Sequence, residues 1–289
     1  MDPGGPAALT RRSTSTTVTN WLEPIGKVHP RDVAAGDLDG FRKDLASTQG
    51  LLYASNRYAL LVVLQALDAA GKDGTIKHVM SGVNPQGCNV VSFRQPSREE
   101  LSHDFLWRCS KVLPALGRIG IFNRSYYEDV LVTRVHPELL MQQRPSLELT
   151  PGSELWAQRH EDINGFERHL HRNGTRIVKL FLHLSKDEQK RRLLQRIDTP
   201  EKQWKFSRSD LSERSHFREY ESAYEDTLSA TSTPWAPWYV VPADHKYAAR
   251  ALVGCIVAHT IGELDLRLPD ISPEGLVALR SAREELLAE

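Results

Sequence analysis

The sequence predicts an α/β fold in which a parallel β-sheet is flanked by helices, and three observations predict it. Short apolar runs suited to buried strands alternate along the chain with segments whose apolar residues recur every three or four positions. The run at 58–67 is apolar almost without interruption, as in a strand buried on both faces. The glycine-containing segment 68–74 then leads from this strand into a helical pattern. Alternating strands and helices favour a parallel sheet with ligand sites at the carboxyl ends of its strands.

The elements follow in order from these two periodicities. Strands are expected where short runs are rich in apolar and β-branched residues, and helices where apolar residues share one helical face. The predicted strands are 58–67, 89–93, 118–122, 175–184 and 238–241. The predicted helices are 36–55, 75–83, 98–116, 125–135, 153–172, 186–197, 211–228 and 244–264.

The domain organisation is simple. A chain of 289 residues, 40% hydrophobic and 26% charged, has the size and composition of one large folded domain. We expect a disordered N-terminal tail at 1–20, a domain at 21–268 and a helical C-terminal tail at 269–289.

Charge and cysteine content exclude several classes of protein. Lys and Arg number 37, as do Asp and Glu, so no net charge attracts the protein to nucleic acid or to an anionic membrane. The 3 cysteines lack the spacing of a disulfide framework or a zinc site. The sequence has neither a secretory signal nor a run long enough to span a membrane, so we expect a cytoplasmic protein.

The segment 68–74 predicts a phosphate-binding loop. Phosphate oxygens are held by converging backbone N–H groups, a lysine and a helix N-terminus. Gly71, Lys72 and Gly74 provide this pattern between a strand and a helix. The alternative is a solvated turn in which the glycines occur by chance.

The loop departs from the common GxxxxGK[ST] pattern at two positions. Ala66 replaces its first glycine, and Asp73 replaces the Ser or Thr that would bind magnesium. Asp68 can restore an oxygen ligand, which suits Mg²⁺, or alternatively Mn²⁺, held by one or two carboxylates together with phosphates.

A polar cluster follows the predicted strand 118–122. Arg124 offers a rigid guanidinium for a phosphate, and Asn123 or Glu128 could bind a metal directly or through water. Taken alone, such a cluster could equally be a helix cap with exposed charges.

A basic segment extends from 186 to 208 and contains eight Lys or Arg residues against four acidic ones. Arg192 and Arg196 lie four residues apart on one helical face, and the helix is broken at 198–200. The segment could therefore be a mobile lid over a polyanion. The alternative is an ordinary solvated helix face.

Five ordered segments resemble the polyphosphate kinase 2 family, and within it the group called class III. They are 66–77, 84–87, 103–108, 122–127 and 203–207. The resemblance implies a P-loop NTPase-like fold similar to that of thymidylate kinases, with a helical lid at about 186–210. It also implies a homo-oligomer, either a dimer or a tetramer.

The resemblance implies roles for individual residues. Asp68 would lie near the metal, Lys72 on the phosphates, Arg124 at the transferring group and Arg192 with the lid cations along polyphosphate. These four are the expected catalytic residues. The expected substrate-binding residues are Ala69, Ala70, Gly71, Asp73, Gly74, Lys77, Arg94, Asp104, Arg108, Asn123, Glu128, Arg196 and Lys205.

The implied activity is phosphoryl transfer between inorganic polyphosphate and purine nucleotides. Members that use diphosphates commonly have Asp at the position of Asn123, so a direct carboxylate–metal bond is not expected there. They commonly have Asn at the position of Glu128, and Glu at this position resembles the group that accepts both AMP and ADP. GMP and GDP are further candidate acceptors.

Two other functions stay open. An ATP-dependent nucleoside or nucleotide kinase could have the same fold, but ATP needs an adenine pocket whereas polyphosphate needs only a line of cations. A non-catalytic phosphate-binding partner protein is the second alternative. The combination of Asp68, Lys72 and Arg124 argues against it.

Overall fold

The computed structural model describes residues 35–143 and 152–289. The expected N-terminal tail at 1–20 lies outside these ranges, so the domain boundaries remain predictions. Within the described ranges the elements are, in chain order, α1 (Ala35–Ser55), β1 (Ala59–Ala66), α2 (Lys72–Val79), β2 (Cys88–Ser92), α3 (Arg98–Leu101), α4 (Trp107–Ser110), β3 (Ile119–Asn123), α5 (Glu128–Val135), α6 (Pro137–Gln143), α7 (Ser153–Arg172), β4 (Thr175–His183), α8 (Lys186–Asp198), α9 (Pro200–Gln203), α10 (Arg208–Ser215), α11 (Phe217–Thr231), β5 (Trp238–Pro242), α12 (Lys246–Gly262) and α13 (Pro273–Ala288).

The strands form one five-stranded sheet in the order β2-β3-β1-β4-β5. Each pair of neighbouring strands is parallel. The strand β1 lies at the centre, and all eight of its residues are buried. The predicted fold class, a parallel sheet flanked by helices, is therefore confirmed.

Alternate side chains of β1 enter two separate hydrophobic layers. Leu60, Val62 and Leu64 pack in one layer with apolar residues of α1, α2 and α12. Leu61 and Val63 pack in the other layer with residues of α5, α7 and α11. Because successive side chains of a strand point to opposite faces, a strand covered on both sides must be apolar throughout. The apolar run, which only Gln65 interrupts, reflects this double covering.

The strand order places a crevice at the carboxyl end of β1. The connection that leaves β1 leads towards β2 on one side, whereas the connection that leaves its neighbour β4 leads to β5 on the other. Connections that diverge in this way open a space outside the strand ends, where ligands bind in open α/β sheets. The predicted phosphate-binding loop begins at this point.

The predicted helix 98–116 is wrong. The chain instead forms two short helices, α3 and α4, because local side-chain caps compete with a continuous helix. Ser97 caps α3, and the Asp104 carboxylate accepts a hydrogen bond of 2.9 Å from the Leu106 N–H and starts a new turn.

Other helix boundaries also differ from prediction. The predicted helix 211–228 is broken at His216, which ends α10 and directly precedes the buried side chain of Phe217 in α11. Helix α2 begins at Lys72, three residues earlier than predicted, and ends at Val79. Helix α6 was not predicted.

In the described part of the chain, no helix is both long and apolar enough to cross a membrane.

Candidate active site

The loop between β1 and α2 has a conformation that depends on two residues with positive φ. Gly71 directly precedes α2 with φ of 98°, a left-handed conformation that glycine adopts without steric cost. Ala69 also has a positive φ, 65°, which is uncommon for a residue with a Cβ. The surrounding contacts must therefore hold Ala69 in this conformation.

The first turn of α2 presents free backbone donors. The first backbone hydrogen bond of the helix runs from Thr75 N to Gly71 O and is 2.9 Å long. The N–H groups of residues 72–74 precede the first possible intrahelical bond and point out of the helix N-terminus. A helix N-terminus with free N–H groups is a binding site for phosphate.

The Lys72 ammonium lies against the end of β1. Its Nζ donates hydrogen bonds to the carbonyl oxygens of Ala66 at 2.8 Å and Leu67 at 3.5 Å. Burial, together with the positive charge of Arg124, lowers the pKa of Lys72 to about 8. These carbonyls hold the lysine at the loop.

Arg124 connects the phosphate loop to β3 and α5. Its Nη2 donates to Asp68 Oδ1 at 2.9 Å, and its Nη1 donates to Glu128 Oε2 at 2.7 Å. The negative charge of Glu128 raises the pKa of Arg124 further above its usual range. Arg124 has φ of 65°, which turns the chain sharply after β3. The sequence predicted these residues separately, and the structure brings them together.

Gln65 supports this cluster from within β1 and was not predicted. It is 0% exposed. With its amide oriented so that both ends are bonded, Nε2 donates to Glu128 Oε1 at 2.9 Å and the amide oxygen accepts from Ser125 N at 3.1 Å. A polar residue inside the apolar run 58–67 was the signal that could have identified it.

Asn123 binds the loop rather than standing free for a metal. Its Nδ2 donates to Asp73 Oδ1 at 2.7 Å and lies 3.4 Å from Ser92 Oγ. This bond links the end of β3 to the first turn of α2. The Asp73 carboxylate, at the position where the common motif has Ser or Thr, is therefore oriented by Asn123.

The environment of Arg192 differs both from that of the expected lid cation along polyphosphate and from that of the alternative, a solvated helix face. The residue is only 6% exposed. Its Nη1 donates to the carbonyls of Ala69 at 3.2 Å and Ala70 at 2.8 Å, and its Nη2 donates to the carbonyls of residues 243–244. Glu188 Oε1 accepts from Nε at 2.7 Å. In this structure Arg192 holds the loop from behind, and one of its bonds goes to Ala69, the loop residue with a Cβ and a positive φ.

Arg196 and Lys205 are not brought to the loop by any described bond. Arg196 pairs with Asp210 of α10 at 2.8 Å and donates to the Lys205 carbonyl at 3.3 Å. The Lys205 ammonium lies 5.0 Å from the centre of the Trp204 ring, and Trp204 is 77% exposed. The pair Arg196–Asp210 instead ties α8 to α10.

A cavity of about 540 Å³ opens beside Arg124 on the α5 side of the sheet. Arg108 is buried in its wall, donates to the Arg94 carbonyl at 2.9 Å and lies 3.9 Å from the Asp129 carboxylate. The cavity is lined by Phe93, Arg94, Gln95, Pro96, Leu101, Arg108, Arg124, Glu128, Asp129, Val132, Thr133 and Leu139. Its size and mixture of apolar walls and charged groups suit a small organic anion.

Two expected substrate-binding residues lie outside this cluster. Asp104 is exposed and, with Arg108, lines a second, much smaller cavity. Lys77 is exposed on α2, and among the described residues it has neither a hydrogen bond nor an ion pair.

Three further residues at the loop were missed by the sequence analysis. Gln189 donates to the Asp68 carbonyl at 3.1 Å. Tyr224 lines a small cavity with Asp68, Arg124 and Glu128, and burial, together with the charge of Glu128, raises its pKa well above its ordinary value. Both belong to regular helical patterns that carry no functional signal.

Arg250 of α12 is the third. Its Nη2 lies 3.4 Å from the position that a Cβ of Gly74 would occupy. Lys246 and Arg250 are four residues apart, which places two cations on one face of a largely apolar helix. That spacing was a signal that could have found them.

The described residues contain no cluster of three or more His, Cys, Asp or Glu side chains that could enclose a metal ion. Three carboxylates nevertheless lie close enough to the Lys72 ammonium for their negative charge to raise its pKa. They belong to Asp68, Glu128 and Asp73. Arg124 bonds only one oxygen of the Asp68 carboxylate, Oδ1, and the Asp68 side chain is 31% exposed. Its other oxygen fits a metal bound mainly by substrate phosphates, as Mg²⁺ commonly is.

Comparison with known proteins gives a consistent family match. The family model described as Polyphosphate kinase 2 matches residues 31–268. The chain is 54% identical over 243 residues to the ADP-polyphosphate phosphotransferase of Rhodopseudomonas palustris, and the alignment covers 84% of each chain. It is 47% identical over 225 residues to the AMP/ADP-polyphosphate phosphotransferase of Meiothermus ruber, which covers 78% of this chain and 80% of that protein.

A solved structure agrees in fold. The crystal structure of Polyphosphate Kinase 2 from Arthrobacter aurescens matches with a TM-score of 0.86 and 38% sequence identity. The match covers 98% of this chain and 97% of that chain. The similarity therefore extends over nearly the whole molecule.

Proposed function

This chain belongs to the polyphosphate kinase 2 family, and on that basis we propose that it transfers a phosphoryl group between inorganic polyphosphate and AMP or ADP. The observation that carries the proposal is the position of Arg124, which bonds Asp68 of the phosphate loop and Glu128 beside the large cavity. One guanidinium thus lies between a site for a phosphate chain and a space that fits a nucleotide.

The reaction between two phosphate groups needs positioning and charge neutralisation rather than a general base. A nucleotide phosphate oxygen is already ionised at neutral pH and can attack directly, so no proton has to be removed. The free N–H groups of α2 and the Lys72 ammonium would hold one phosphate group, and Arg124 would contact the group in transfer. Arg124 is well suited because it is permanently charged and fixed at both ends.

A divalent metal is expected for a kinase of this kind, and we propose Mg²⁺, with Mn²⁺ as the alternative. Asp68 would hold it through the carboxylate oxygen that Arg124 leaves unused. When bound, the metal would reduce the repulsion between the two anionic substrates. Asn123 would act on it only indirectly, because its amide is bonded to Asp73.

We assign the large cavity to the nucleotide acceptor. The apolar side chains of Phe93, Leu101, Val132 and Leu139 supply surfaces for a purine ring and ribose. The remaining wall carries the charge that a phosphate tail requires, because Arg108 and Arg124 both face the cavity. GMP and GDP remain candidate acceptors along with AMP and ADP.

The helices α8, α9 and α10 form the proposed lid, at about 186–210. Arg196 and Lys205 would contact polyphosphate only if the lid moved, because Arg196 is paired with Asp210 here. The proposed catalytic role of Arg192 is best understood as fixing the shape of the loop, since its guanidinium is bonded to loop carbonyls. We also propose a homo-oligomer, a dimer or a tetramer, with neither nucleic acid nor a membrane as a partner.

One assay tests this function. Pure protein is mixed with Mg²⁺ and polyphosphate, then with AMP, ADP, GMP or GDP in turn, and products are identified by chromatography. We expect nucleotides that are longer by one phosphate, and no product after chelation of the metal. Matched reactions with ATP as donor and a nucleoside or nucleoside monophosphate as acceptor test the ATP-dependent kinase. Product only with ATP would favour that alternative, whereas binding without product from either donor would favour a non-catalytic protein.

A further inference from the structure

Helix α10 of the proposed lid has no apolar anchor. None of its side chains is buried, and its one large apolar residue, Leu211, is 53% exposed. The half-buried side chains of α10 are those of Asp210, Glu213 and Arg214, and all three are charged. A helix without buried apolar contacts has low local stability, so polar contacts decide how firmly α10 is held.

Two of these charged residues connect α10 to α8. Asp210 pairs with Arg196 at 2.8 Å, and Arg214 Nη1 donates to Gln189 Oε1 at 2.9 Å. Gln189 in turn donates to the Asp68 carbonyl of the phosphate loop. The position of α10 therefore constrains that of α8, and with it the side chain of Arg196.

Glu213 connects α10 to the body of the protein. Its Oε2 lies 3.0 Å from Nε2 of His136, which directly follows α5, and accepts a hydrogen bond of 2.7 Å from the Tyr220 hydroxyl of α11. Glu213 also lines the small cavity that contains Asp68 and Arg124. The contact with His136 thus fixes α10 next to the candidate active site.

His136 lies between two carboxylates. Its Nε2 faces Glu213, and its Nδ1 lies 3.3 Å from Glu138 Oε1 of α6. A neutral imidazole has one N–H and can donate to only one of these carboxylates, whereas an imidazolium donates to both. In the neutral ring one nitrogen would direct its lone pair at a carboxylate oxygen. The arrangement therefore suits the protonated form of His136.

The other groups around His136 do not replace it as the cation between these carboxylates. The His216 ring lies 5.1 Å from the His136 ring and has its own carboxylate, Glu219, at 3.9 Å. The Tyr220 ring lies 6.3 Å away. Burial, together with the hydrogen bond to Glu213, raises the pKa of Tyr220, so its hydroxyl stays a donor.

The charged group that precedes His136 on α5 is also engaged elsewhere. Arg134, two residues earlier, pairs with Asp226 of α11. Histidine side chains change charge between about pH 5 and pH 8, whereas carboxylates ordinarily stay ionised over most of this range. The attraction between His136 and its two carboxylates should therefore be strongest near pH 6 and weakest near pH 8.

We propose that His136 and Glu213 form a pH-sensitive latch, which holds α10 against the end of α5 and is released as His136 loses its proton. The inference rests on the proposed function, because α8, α9 and α10 form the proposed lid. While the latch is closed, Arg196 stays paired with Asp210. Its release allows the lid, with Arg196, to move towards a bound phosphate chain.

Amide hydrogen exchange tests the latch without any substrate. Mass spectrometry would follow exchange in peptides that cover 208–215, in the wild type, His136→Gln and Glu213→Gln, at pH 6 and pH 8. After correction for the intrinsic rate at each pH, protection in the wild type should be about five- to tenfold greater at pH 6 than at pH 8. In both variants this difference should disappear, because the ion pair cannot form.

His259→Gln is the matched control. It removes a histidine that faces Glu263 at 3.4 Å on α12, where the His259 side chain is 71% exposed. The pH dependence of exchange in α10 should stay as in the wild type. Peptides of α11, which contains the buried Phe217 and Tyr220, should keep their protection in every variant and so show that the proteins are folded.

Kinetics connect the latch to the donor. At pH 6, KM for polyphosphate should be about threefold lower in His136→Gln than in the wild type, because the lid is free to move. At pH 8 the two values should agree. Comparison of both proteins at the same pH cancels the titration of Lys72, whose pKa is about 8.

Several outcomes would overturn the inference. Equal protection of α10 at both pH values in the wild type would contradict a pH-sensitive latch. A pH effect that persists in His136→Gln would assign it to another group. If exchange behaves as expected but KM for polyphosphate is the same in both proteins at pH 6, the link between latch and donor is wrong.

The latch and the proposed function can fail separately. A wild-type protein that transfers phosphate from polyphosphate, but whose α10 exchanges independently of His136, would contradict the latch alone. A protein whose α10 exchanges as expected, but which does not use polyphosphate, would contradict the proposed function and the role of the latch in it.

Discussion

Arg124 shows how a single residue can organise a site for two anions. Its two terminal nitrogens bond Asp68 and Glu128, which come from different segments of the chain. A lysine could not replace it, because one ammonium group cannot hold two carboxylates in a fixed planar geometry. Arg124 also has a left-handed φ of 65°, a conformation that persists in a residue with a Cβ only where the surrounding structure holds it.

Lys72→Met should reduce activity without loss of the folded structure. We expect a loss of about 10²-fold or more in kcat/KM, because the ammonium would no longer stabilise charge on the transferring group. In the wild-type enzyme, kcat/KM should fall as the pH rises through about 8, where Lys72 loses its proton. Steady-state kinetics across pH would check both effects, with Lys43→Met, at an exposed position of α1, as the control.

The same substitution should affect stability in a pH-dependent way. The folded protein lowers the pKa of Lys72 from 10.5 to about 8, so folding disfavours the charged form. This destabilisation is complete below about pH 8 and disappears as the pH rises towards 10.5, because there the unfolded chain binds more protons. Lys72→Met should therefore raise the thermal midpoint at pH 7 more than at pH 10. A lower midpoint at pH 7 would contradict this assignment of the lysine.

Glu128→Asn should reduce phosphorylation of AMP more than phosphorylation of ADP. AMP has one phosphate fewer, so a carboxylate that orders metal or water at the vacant position would help to hold it in line. The amide would also weaken the bond to Arg124, which is now 2.7 Å long. We expect the ratio of AMP to ADP rates to fall about tenfold, equivalent to ~1.4 kcal/mol.

The two rates would be measured by chromatography, and thermal unfolding would confirm that the variant is folded. An equal fall in both rates, or a wild-type enzyme that never phosphorylates AMP, would remove this role from Glu128.

At the scale of elements, α8 supports the phosphate loop through Gln189 and, with more bonds, through Arg192. Arg192→Lys retains the charge but cannot reach the carbonyls of both the loop and residues 243–244. Leaving buried carbonyls unpaired should lower the free energy of unfolding by about 1–3 kcal/mol. It should also reduce kcat/KM for both substrates, because the loop conformation serves both.

Arg196→Lys, on the same helix, is the matched control. It alters a partly exposed ion pair with Asp210, so we expect a change below about 1 kcal/mol. Urea unfolding and kinetics of the two variants give the comparison. Equal effects would show that Arg192 has no special connection to the loop.

The elements α7 and β4 and the segment just before α5 are joined by a buried network behind Arg124. Lys179 Nζ lies 2.6 Å from Glu167 Oε2, and both side chains are 0% exposed. The Glu167 carboxylate also accepts hydrogen bonds from the hydroxyls of Tyr126 at 2.8 Å and Tyr127 at 2.9 Å. These tyrosines follow Arg124 in the chain, so the network fixes the segment that carries it.

Lys179→Met should leave the Glu167 carboxylate buried without a cation and cost about 3–5 kcal/mol of unfolding free energy. The double variant Lys179→Met/Glu167→Gln should recover much of this loss, since no uncompensated charge remains. Denaturant unfolding would measure both, with Arg218→Met in the exposed pair Arg218–Glu221 as a control expected to change little. A double variant less stable than the single one would contradict the ion-pair explanation.

At the scale of the whole molecule, the balance of charge makes local cations decisive. The formal net charge is +0, so no overall field attracts polyphosphate to the protein. Raising salt from about 0.05 to about 0.5 M should therefore increase KM for long-chain polyphosphate much more than KM for AMP or ADP. Kinetics at several salt concentrations would check this, and parallel increases for donor and acceptor would contradict a localised cation line.

Much of the fold could be predicted because its signals are local. The strand 58–67 is recognisable because burial on both faces requires an apolar residue at every position, apart from Gln65. The phosphate loop is recognisable because Gly71 and Lys72 lie between such a strand and the helix that follows it. The predicted helix 98–116 failed for a local reason as well, since the caps at Ser97 and Asp104 interrupt it.

The sequence by itself determined the fold class, the phosphate loop and the identity of Asp68, Lys72 and Arg124 as candidates, because each depends on neighbours within a few residues. Only the tertiary structure decided how these groups meet. Asp68 and Arg124 are 56 positions apart, and Arg192 reaches the Ala70 carbonyl across 122 positions. Such contacts depend on the order of strands in the sheet and on which face each helix covers. For the same reason Arg192, expected as a lid cation along polyphosphate, lies buried behind the loop, because its bonds to the loop and to residues 243–244 are invisible to local periodicity.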